Sequence, residues 1–472
     1  MAYYILKEGY ELCGWEGLPF ALRHPNPYYA DFFDRESYRV VYALDGAHDI
    51  DEEALTEKQK QKLDRLKKMG IAVPATGKER IEPYQEYKKY PAMYKNQVQW
   101  SITGRCNYHC RHCFMSAPDC RGEDLTWEQC VRILDELAGC GVRLVSLTGG
   151  EPLVSPHFYG ILDEMKKRRM ILSTVYTNGK LVDGALLDEL DKRGMHPNFH
   201  ISFDGIGWHD WLRGEKGAEE AAMRAFRLLR ERGFQISTSF CLHRHNYLSL
   251  RENINFLASL GLKHVKMNVT TPTGLWKNET EHFATQDEVN AAILAYIPQY
   301  AEDGFPISAQ FAGFLDFNRE DGRIRIPHKK YGGDEGADRE YACGVVKTGM
   351  YISPSGKVLP CMTLGGTVID ARFDSILEKD LSDILTGSYY RDVCRVRMGE
   401  CIAHNEKCRG CKYALACGAG CRACACGETK TDYLGIDEEA CDFFLHGWYE
   451  KAQEVIEQYG DRFGKLMKEA KE

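Results

Sequence analysis

Eleven of the nineteen cysteines in this 472-residue chain fall between Cys343 and Cys441, and three more, Cys106, Cys110 and Cys113, share one octapeptide, C-N-Y-H-C-R-H-C. A fold that gathers thiols this densely either oxidises them in pairs or binds metal with them. Disulfide frameworks belong to short secreted chains. This chain is long, its cysteine count is odd, and its N-terminus, MAYYILKEGYELCGW, has neither the basic n-region nor the unbroken apolar stretch of a secretion signal. The pattern therefore predicts a cytoplasmic protein whose thiols ligate metal. Cys13, Cys120, Cys130, Cys140 and Cys241 stand outside both groups and read as small buried apolar residues.

Charge and length narrow the class further. The 61 basic and 69 acidic residues give a net charge of -8, spread along the chain, which argues against a nucleic-acid-binding surface. Nor does any apolar run approach the roughly 18 residues of a membrane span. At roughly 150 residues per domain the chain holds two to three domains. Residues 1–95 read as a small helical unit with flanking strands: after Tyr38 come a helix, a Gly-containing turn, an acidic segment, a longer amphipathic helix and an apolar tail at Ile71–Val73. The Pro-, Tyr- and charge-rich stretch that follows Val73 reads as a linker.

Over residues 96–310, β-rich apolar runs alternate with amphipathic helices, the pattern of βα units on a parallel sheet. Strands are expected near Gln97–Thr103, Leu144–Leu147, Ile171–Thr177, Phe199–Phe203, Gln235–Cys241 and His264–Val269. Helices between them stop at Gly139, Gly194, Gly233 and Gly261. Six units make an α/β fold, a partial (β/α)6 barrel open on one side. A linker over 311–342, a cysteine-rich region over 343–445 where ligation replaces a hydrophobic core, and a C-terminal helix over 446–472 complete the expected order.

The first cysteine group directly follows the first barrel strand. Three thiolates in one loop ligate three irons of a 4Fe-4S cubane and leave the fourth without a protein ligand. A structural zinc site is the alternative, but zinc takes four ligands, commonly in paired C-x-x-C knuckles. The CxxxCxxC triplet resembles the signature of the radical S-adenosylmethionine (SAM) superfamily, whose members let SAM chelate the open iron and cleave it to a 5'-deoxyadenosyl radical. Three further motifs resemble the same family: G-G-E-P at Gly149, Gly150, Glu151 and Pro152, T-N-G at Thr177–Gly179, and S-F-D-G at Ser202–Gly205. The resemblance implies that Gly149 and Gly150 admit the methionine end of SAM and that Glu151 receives its amino group. It further implies a ribose contact at Asn178 and carboxylate and ribose contacts at Ser202 and Asp204. His112 stands where the family usually carries an aromatic residue against adenine.

Cys343, Gly356 and Cys361 fit C-x12-G-x4-C, and Cys408, Cys411, Cys417 and Cys421 fit C-x2-C-x5-C-x3-C, followed by a lone Cys441. This arrangement resembles the SPASM domain, which holds two auxiliary 4Fe-4S clusters, three clusters in all. By that resemblance Cys408, Cys411, Cys417 and Cys441 ligate one, and Cys343, Cys361 and Cys421 the other. Gly349 stands where fully ligated relatives place a fourth cysteine. Either Cys394, Cys401, Cys424 or Cys426 substitutes, or an iron stays open and can hold a substrate thiolate.

SPASM enzymes act mostly on peptides, and the order of elements in residues 1–95 resembles the winged-helix-like recognition element of peptide maturases. The resemblance implies a radical SAM oxidoreductase that matures a ribosomally made peptide (RiPP maturation). A leader sequence would bind by adding to a sheet edge, the product would be a thioether or carbon-carbon crosslink, and a flavodoxin or ferredoxin would supply electrons. A sulfatase-maturing enzyme is disfavoured because Met362, not the expected Asp, follows Cys361. A small-molecule oxidase and a non-enzymatic electron-transfer protein are the remaining alternatives. The residues name no general base.

Overall fold

The computed structural model describes residues 2–113, 115, 124–272, 274–330, 336–427 and 432–470. Cys120 lies outside the described residues, Cys13, Cys130 and Cys140 are buried in apolar cores as expected, and Cys241 departs from that expectation, being half-buried with its N–H donating to Asp204 Oδ1 at 3.0 Å.

The six expected strands form at Gln97–Ser101, Leu144–Thr148, Ile171–Thr177, Asn198–Ser202, Gln235–Leu242 and His264–Val269. Each pairs in parallel with the next, with Trp100 opposite Leu147 and Thr177 opposite Ile201. Six undercounts the ladder. A helix at Gln286–Glu302 leads into a seventh parallel strand, Ser308–Phe311. On the opposite edge Gly349–Ile352 pairs in parallel with the first strand. Both added strands are only four residues long, too short to show a clear period in sequence. The sheet does not close, and antiparallel strands finish both edges.

The expected linker over 311–342 is corrected by this sheet, because Leu315–Asn318 and Arg323–Arg325 extend it as an antiparallel hairpin. The expectation that ligation replaces a core beyond residue 343 is corrected too. Leu364, Phe373, Ile376, Leu381 and Leu385 are buried in the same apolar cluster as the barrel's Leu147 and Phe199. The C-terminal helix, Trp448–Glu469, packs back on the barrel edge, where the Phe463 ring lies 5.0 Å from Phe305 and 5.5 Å from Phe317.

Helix ends follow local chemistry. Thr126 caps the first barrel helix, Trp127–Gly139, through a reciprocal box with Gln129, worth about 1 kcal/mol. Its left-handed stop is Gly141, at φ 80°, not Gly139, which remains helical.

Residues 2–93 differ most from expectation. Helices form at Arg35–Tyr42 and Glu57–Lys68, but the Gly turn and acidic segment between them contain a strand, Asp45–Ile50, antiparallel to Ala2–Leu6. Ala72–Ala75 completes a three-stranded sheet. A second sheet joins Glu11–Glu16, Leu18–Arg23 and Ala30–Phe32 with Lys88–Met93, the last drawn from the expected linker. The unit docks near the N-terminal ends of the first barrel strands: Trp15 Nε1 donates to Cys140 O at 3.1 Å and Asn96 Nδ2 to Pro27 O at 2.7 Å. Among the described residues no helix is long and apolar enough to cross a membrane.

Candidate active site

Every second residue of a barrel strand faces inward, and in a closed barrel those positions are filled by Val, Ile and Leu. Here many are polar. Gln99, Tyr176, His200, Ser202, Ser239, Lys266 and Asn268 line a cavity of about 430 Å³. His200 bridges Ser237 Oγ at 2.8 Å and Ser239 Oγ at 2.6 Å. Burial, with the Lys266 ammonium nearby, moves the His200 pKa down to about 4, so its ring is neutral at pH 7. Sequence reasoning named Ser202 but passed over Gln99, His200, Ser239, Lys266 and Asn268, although H-I-S at 200–202 and K-M-N at 266–268 set polar groups alternately around an apolar one.

At the C-terminal mouth of this cavity the loop after the first strand presents Cys106 and Cys110. Cys113 stays in the same turn through its N–H, which donates to Cys110 O at 3.1 Å, and its own carbonyl accepts from Leu275 N at 3.4 Å. Burial pushes the Cys106 thiol up to about 12, with Cys110 and Cys113 adding to the effect. A crowded, half-buried thiol such as Cys106 holds its proton until a metal displaces it, so the loop fits a cluster better than a free-thiol role.

The glycines of G-G-E-P are required by contact. A Cβ on Gly149 would lie 2.4 Å from Thr103 O, and one on Gly150 2.3 Å from Arg105 O. The loop after the second strand is thereby pressed against the cysteine loop, with Gly150 N donating to Thr103 O at 2.9 Å and Glu151 N to Arg105 O at 2.8 Å. Both glycines, with Asn178 and Ser202, line the cavity.

Two expected SAM contacts are placed elsewhere. Glu151 is fully buried, and its carboxylate accepts from Leu153 N at 3.1 Å, Thr177 Oγ1 at 2.9 Å and Asn178 N at 2.8 Å. It ties the second loop to the third instead of lining the cavity, and burial raises its pKa to about 7. Asp204, also fully buried, grips Arg213 and His209. The residue that faces the cavity in its place is Arg213, whose Nη1 lies 4.0 Å from Cys110 Sγ. His112 turns inward toward Asp204 and Cys241, its Nδ1 buried without a partner, so it does not line the cavity. His243 is likewise buried and does not line the cavity.

A second cavity, of about 180 Å³, adjoins the first. Gln99, Tyr176 and Met362 line both, and Cys361 lines the second. A third, of about 310 Å³, is walled by Cys408, Cys411, Cys417 and Cys441 together. The sulfurs of Cys343 and Cys421 both bear on the Cys361 thiol, which burial pushes up to about 12. Two cations, the half-buried Lys330 and the buried Arg422, lie against these two sets. Lys330 donates to Ala342 O at 2.7 Å and to Gly420 O, and Arg422 binds Tyr433 O and Gly435 O at 3.0 and 2.8 Å. Among the described residues neither forms an ion pair with a carboxylate. Buried charge without a counter-ion is costly, and anionic thiolate clusters at both sets would supply one.

Comparison with known proteins gives a consistent result. A sequence model of the Radical SAM superfamily matches residues 100–257, and one of the SPASM iron-sulfur cluster-binding domain matches residues 343–412. The chain is 26% identical over 370 residues to a PqqA peptide cyclase of Granulibacter bethesdensis, covering 76% of this chain and 90% of that protein. It is 24% identical over 360 residues to an Fe-coproporphyrin III synthase of Methanosarcina barkeri, covering 74% and 88%. The crystal structure of Streptococcus suis SuiB bound to precursor peptide SuiA shares the fold, with a TM-score of 0.63 at 15% identity over 93% of this chain and 99% of that one.

Proposed function

We propose that this chain, a radical SAM protein with a SPASM iron-sulfur domain, oxidatively modifies a ribosomally made peptide. The observation that carries the reading is the pair of adjoining cavities: Tyr176, Gln99 and Met362 form a common wall between the space at Cys106 and Cys110 and the space at Cys361. When bound, SAM and its cluster would supply a 5'-deoxyadenosyl radical in the first space. A substrate that has lost a hydrogen atom there would stand one side chain away from an auxiliary cluster able to take up the remaining electron. That sequence is an oxidation, and a thioether or carbon-carbon crosslink is the product class it fits.

The chain's own residues have separable roles in this reading. Cys106, Cys110 and Cys113 hold the SAM-binding cluster, with Arg213 setting the charge beside Cys110. Gly149 and Gly150 leave room for the methionine end of SAM, and Asn178 and Ser202 face its ribose and carboxylate. Cys408, Cys411, Cys417 and Cys441 hold one auxiliary cluster; Cys343, Cys361 and Cys421 hold the other. Residues 1–95 would bind the leader sequence along an edge of the small sheet, at Asp45–Ile50 or Ala72–Ala75. A flavodoxin or ferredoxin would deliver electrons in the cytoplasm.

A peptide substrate is supported by the peptide cyclase and by the peptide-bound structure that the chain resembles. Likeness to a coproporphyrin synthase keeps a tetrapyrrole or other small molecule as a second reading. The test is anaerobic reconstitution followed by assay of 5'-deoxyadenosine and of a candidate precursor peptide by mass spectrometry. A peptide lighter by two hydrogens, formed by the intact protein and not by Cys106→Ala, Cys110→Ala, Cys113→Ala, is the expected result. Cleavage of SAM that no peptide stimulates would favour the small-molecule reading, and cleavage surviving in the triple variant would overturn both.

A further inference from the structure

The set Cys343, Cys361 and Cys421 is one thiolate short of closing a cubane. The position after Cys343 that carries the fourth ligand in fully ligated relatives is Gly349, here the first residue of a barrel strand, where a Cβ would meet Val345 O at 3.2 Å. A ligand cannot come from that strand position.

One side chain beside this set has no ordinary reason to be charged. Lys95 is fully buried, 0% exposed, and its Nζ donates to Val346 O and to Cys394 Sγ, the latter at 3.8 Å. The ammonium also lies 5.5 Å from the centre of the Tyr390 ring. Among the described residues no carboxylate pairs with it. An ammonium enclosed in this way costs several kcal/mol unless an anion accompanies it, and the sulfurs of Cys394 and Cys343 are the candidates at hand.

Cys394 is itself 4% exposed, on the helix Ser388–Arg395. The backbone places it beside the incomplete set: Ala342 N, next to Cys343, donates to Val396 O, two residues after Cys394, at 2.8 Å. The buried Tyr390 hydroxyl bears on the sulfurs of both Cys394 and Cys361. Cys343, Cys361 and the half-buried Tyr433 pack against the same apolar cluster that contains Cys394. The other spare cysteines are placed differently. Cys424 touches Cys421 but is exposed and lines a separate cavity of about 330 Å³ with Thr363 and Glu438, Cys426 is fully buried in the apolar core, and Cys401 packs with Cys408 and Ala419.

We propose that Cys394 supplies the fourth thiolate of the cluster formed by Cys343, Cys361 and Cys421, and that Lys95 is the buried counter-cation of that closed cluster. The Cys394 thiol gives its proton to solvent as the iron-sulfur bond forms, and the fixed positive charge of Lys95 offsets the added negative one. A closed cluster has no iron free to hold a substrate thiolate. Its part in the reaction is then to accept an electron, and Lys95 is a positioning residue that makes acceptance easier by raising the cluster's potential.

The proposal rests on the reading that this region binds iron-sulfur clusters, and the experiment separates the two. The full chain carrying Cys106→Ala, Cys110→Ala and Cys113→Ala is reconstituted anaerobically, so that only auxiliary clusters are seen by iron analysis and electron paramagnetic resonance of the reduced state. Cyanide, a probe for open iron, is expected to leave this spectrum unchanged. Adding Cys394→Ala is expected to make one signal cyanide-sensitive, whereas adding Cys424→Ala is not. Lys95→Met is expected to keep the iron and shift one midpoint potential to a more negative value. A cyanide-sensitive spectrum before Cys394 is touched overturns the proposal without any variant at that position. An unchanged spectrum in Cys394→Ala, sensitivity conferred by Cys424→Ala, or an unmoved potential in Lys95→Met would also overturn it. Absence of auxiliary iron in the starting protein would sink the cluster reading itself.

Discussion

Asp204 holds Arg213 by two hydrogen bonds, from Nε to Oδ2 at 2.6 Å and from Nη2 to Oδ1 at 3.1 Å, and Arg213 reaches past it to within 4.0 Å of the Cys110 sulfur. Asp204 is fully buried and Arg213 is 9% exposed. Removing one partner of such a pair strands the other charge, so Asp204→Asn should cost about 3–5 kcal/mol in the protein without its cofactors. Arg213 and His209 hold the Asp204 carboxyl well below the usual carboxylate range against the opposing effect of burial. Because this folded-state pKa is depressed, the contribution is fully present above the unfolded value of about 4 and is lost as pH falls toward the folded one. Urea unfolding should therefore show a constant gap between wild type and Asp204→Asn from about pH 5 to 8 and a narrowing gap below about pH 4.

Gly149→Ala and Gly150→Ala should weaken SAM binding by at least about tenfold, roughly 1.4 kcal/mol. Each added methyl meets a backbone oxygen at 2.4 or 2.3 Å, and neither Thr103 O nor Arg105 O can swing aside as a flexible side chain would. Relief must come from parting the two loops that shape the mouth of the cavity. Equilibrium dialysis of SAM against reconstituted protein measures the loss. Affinity equal to wild type in both variants would show that the two loops can separate without cost to the site.

Much of this architecture is legible in the chain because its signals are local. The six long strands carry their own period, and capping boxes such as those at Thr56, Thr126 and Thr285, which sequence reasoning passed over, each lie within four residues of sequence. What escapes is non-local. Gly349–Ile352 becomes a barrel strand only because Gln97–Trp100, some 250 residues earlier by the hydrogen-bond separation of Ser101 and Tyr351, offers an edge. Asp45–Ile50 has too few apolar residues to announce a strand without its partner Ala2–Leu6. At the site the motifs locate the loops correctly, but residue type cannot say which way an acid points. Glu151 and Asp204 follow the second and fourth strands as acids suited to a ligand, and both are spent on the protein's own backbone and Arg213.

Four thiols around one apolar cavity predict an all-or-none iron response. Cys408→Ala, Cys411→Ala, Cys417→Ala and Cys441→Ala should each lower reconstituted iron by up to about four atoms per chain, the content of one cubane. Cys401→Ala, whose side chain is fully buried but lies outside that cavity wall, should lose stability and keep its iron. Iron assay beside thermal unfolding separates the two effects. Equal iron in all five variants would remove this auxiliary site.

Tyr176 is the residue on which the coupling of the two cavities depends. Its ring packs against His200 at 5.0 Å between centroids, and it forms part of the wall of both spaces. Burial raises its pKa, so the hydroxyl is protonated throughout the neutral range and the ring acts as a wall and not as a base. Tyr176→Phe keeps that wall and should leave the yield of modified peptide per 5'-deoxyadenosine within about twofold of wild type. Tyr176→Ala opens it, lets the substrate shift out of line with Cys361, and should raise 5'-deoxyadenosine formed without peptide product. The ratio of the two products, measured in one anaerobic reaction, is the readout. A ratio unchanged in Tyr176→Ala would mean that the substrate does not span the two cavities, and the oxidation would then need another route for its electron.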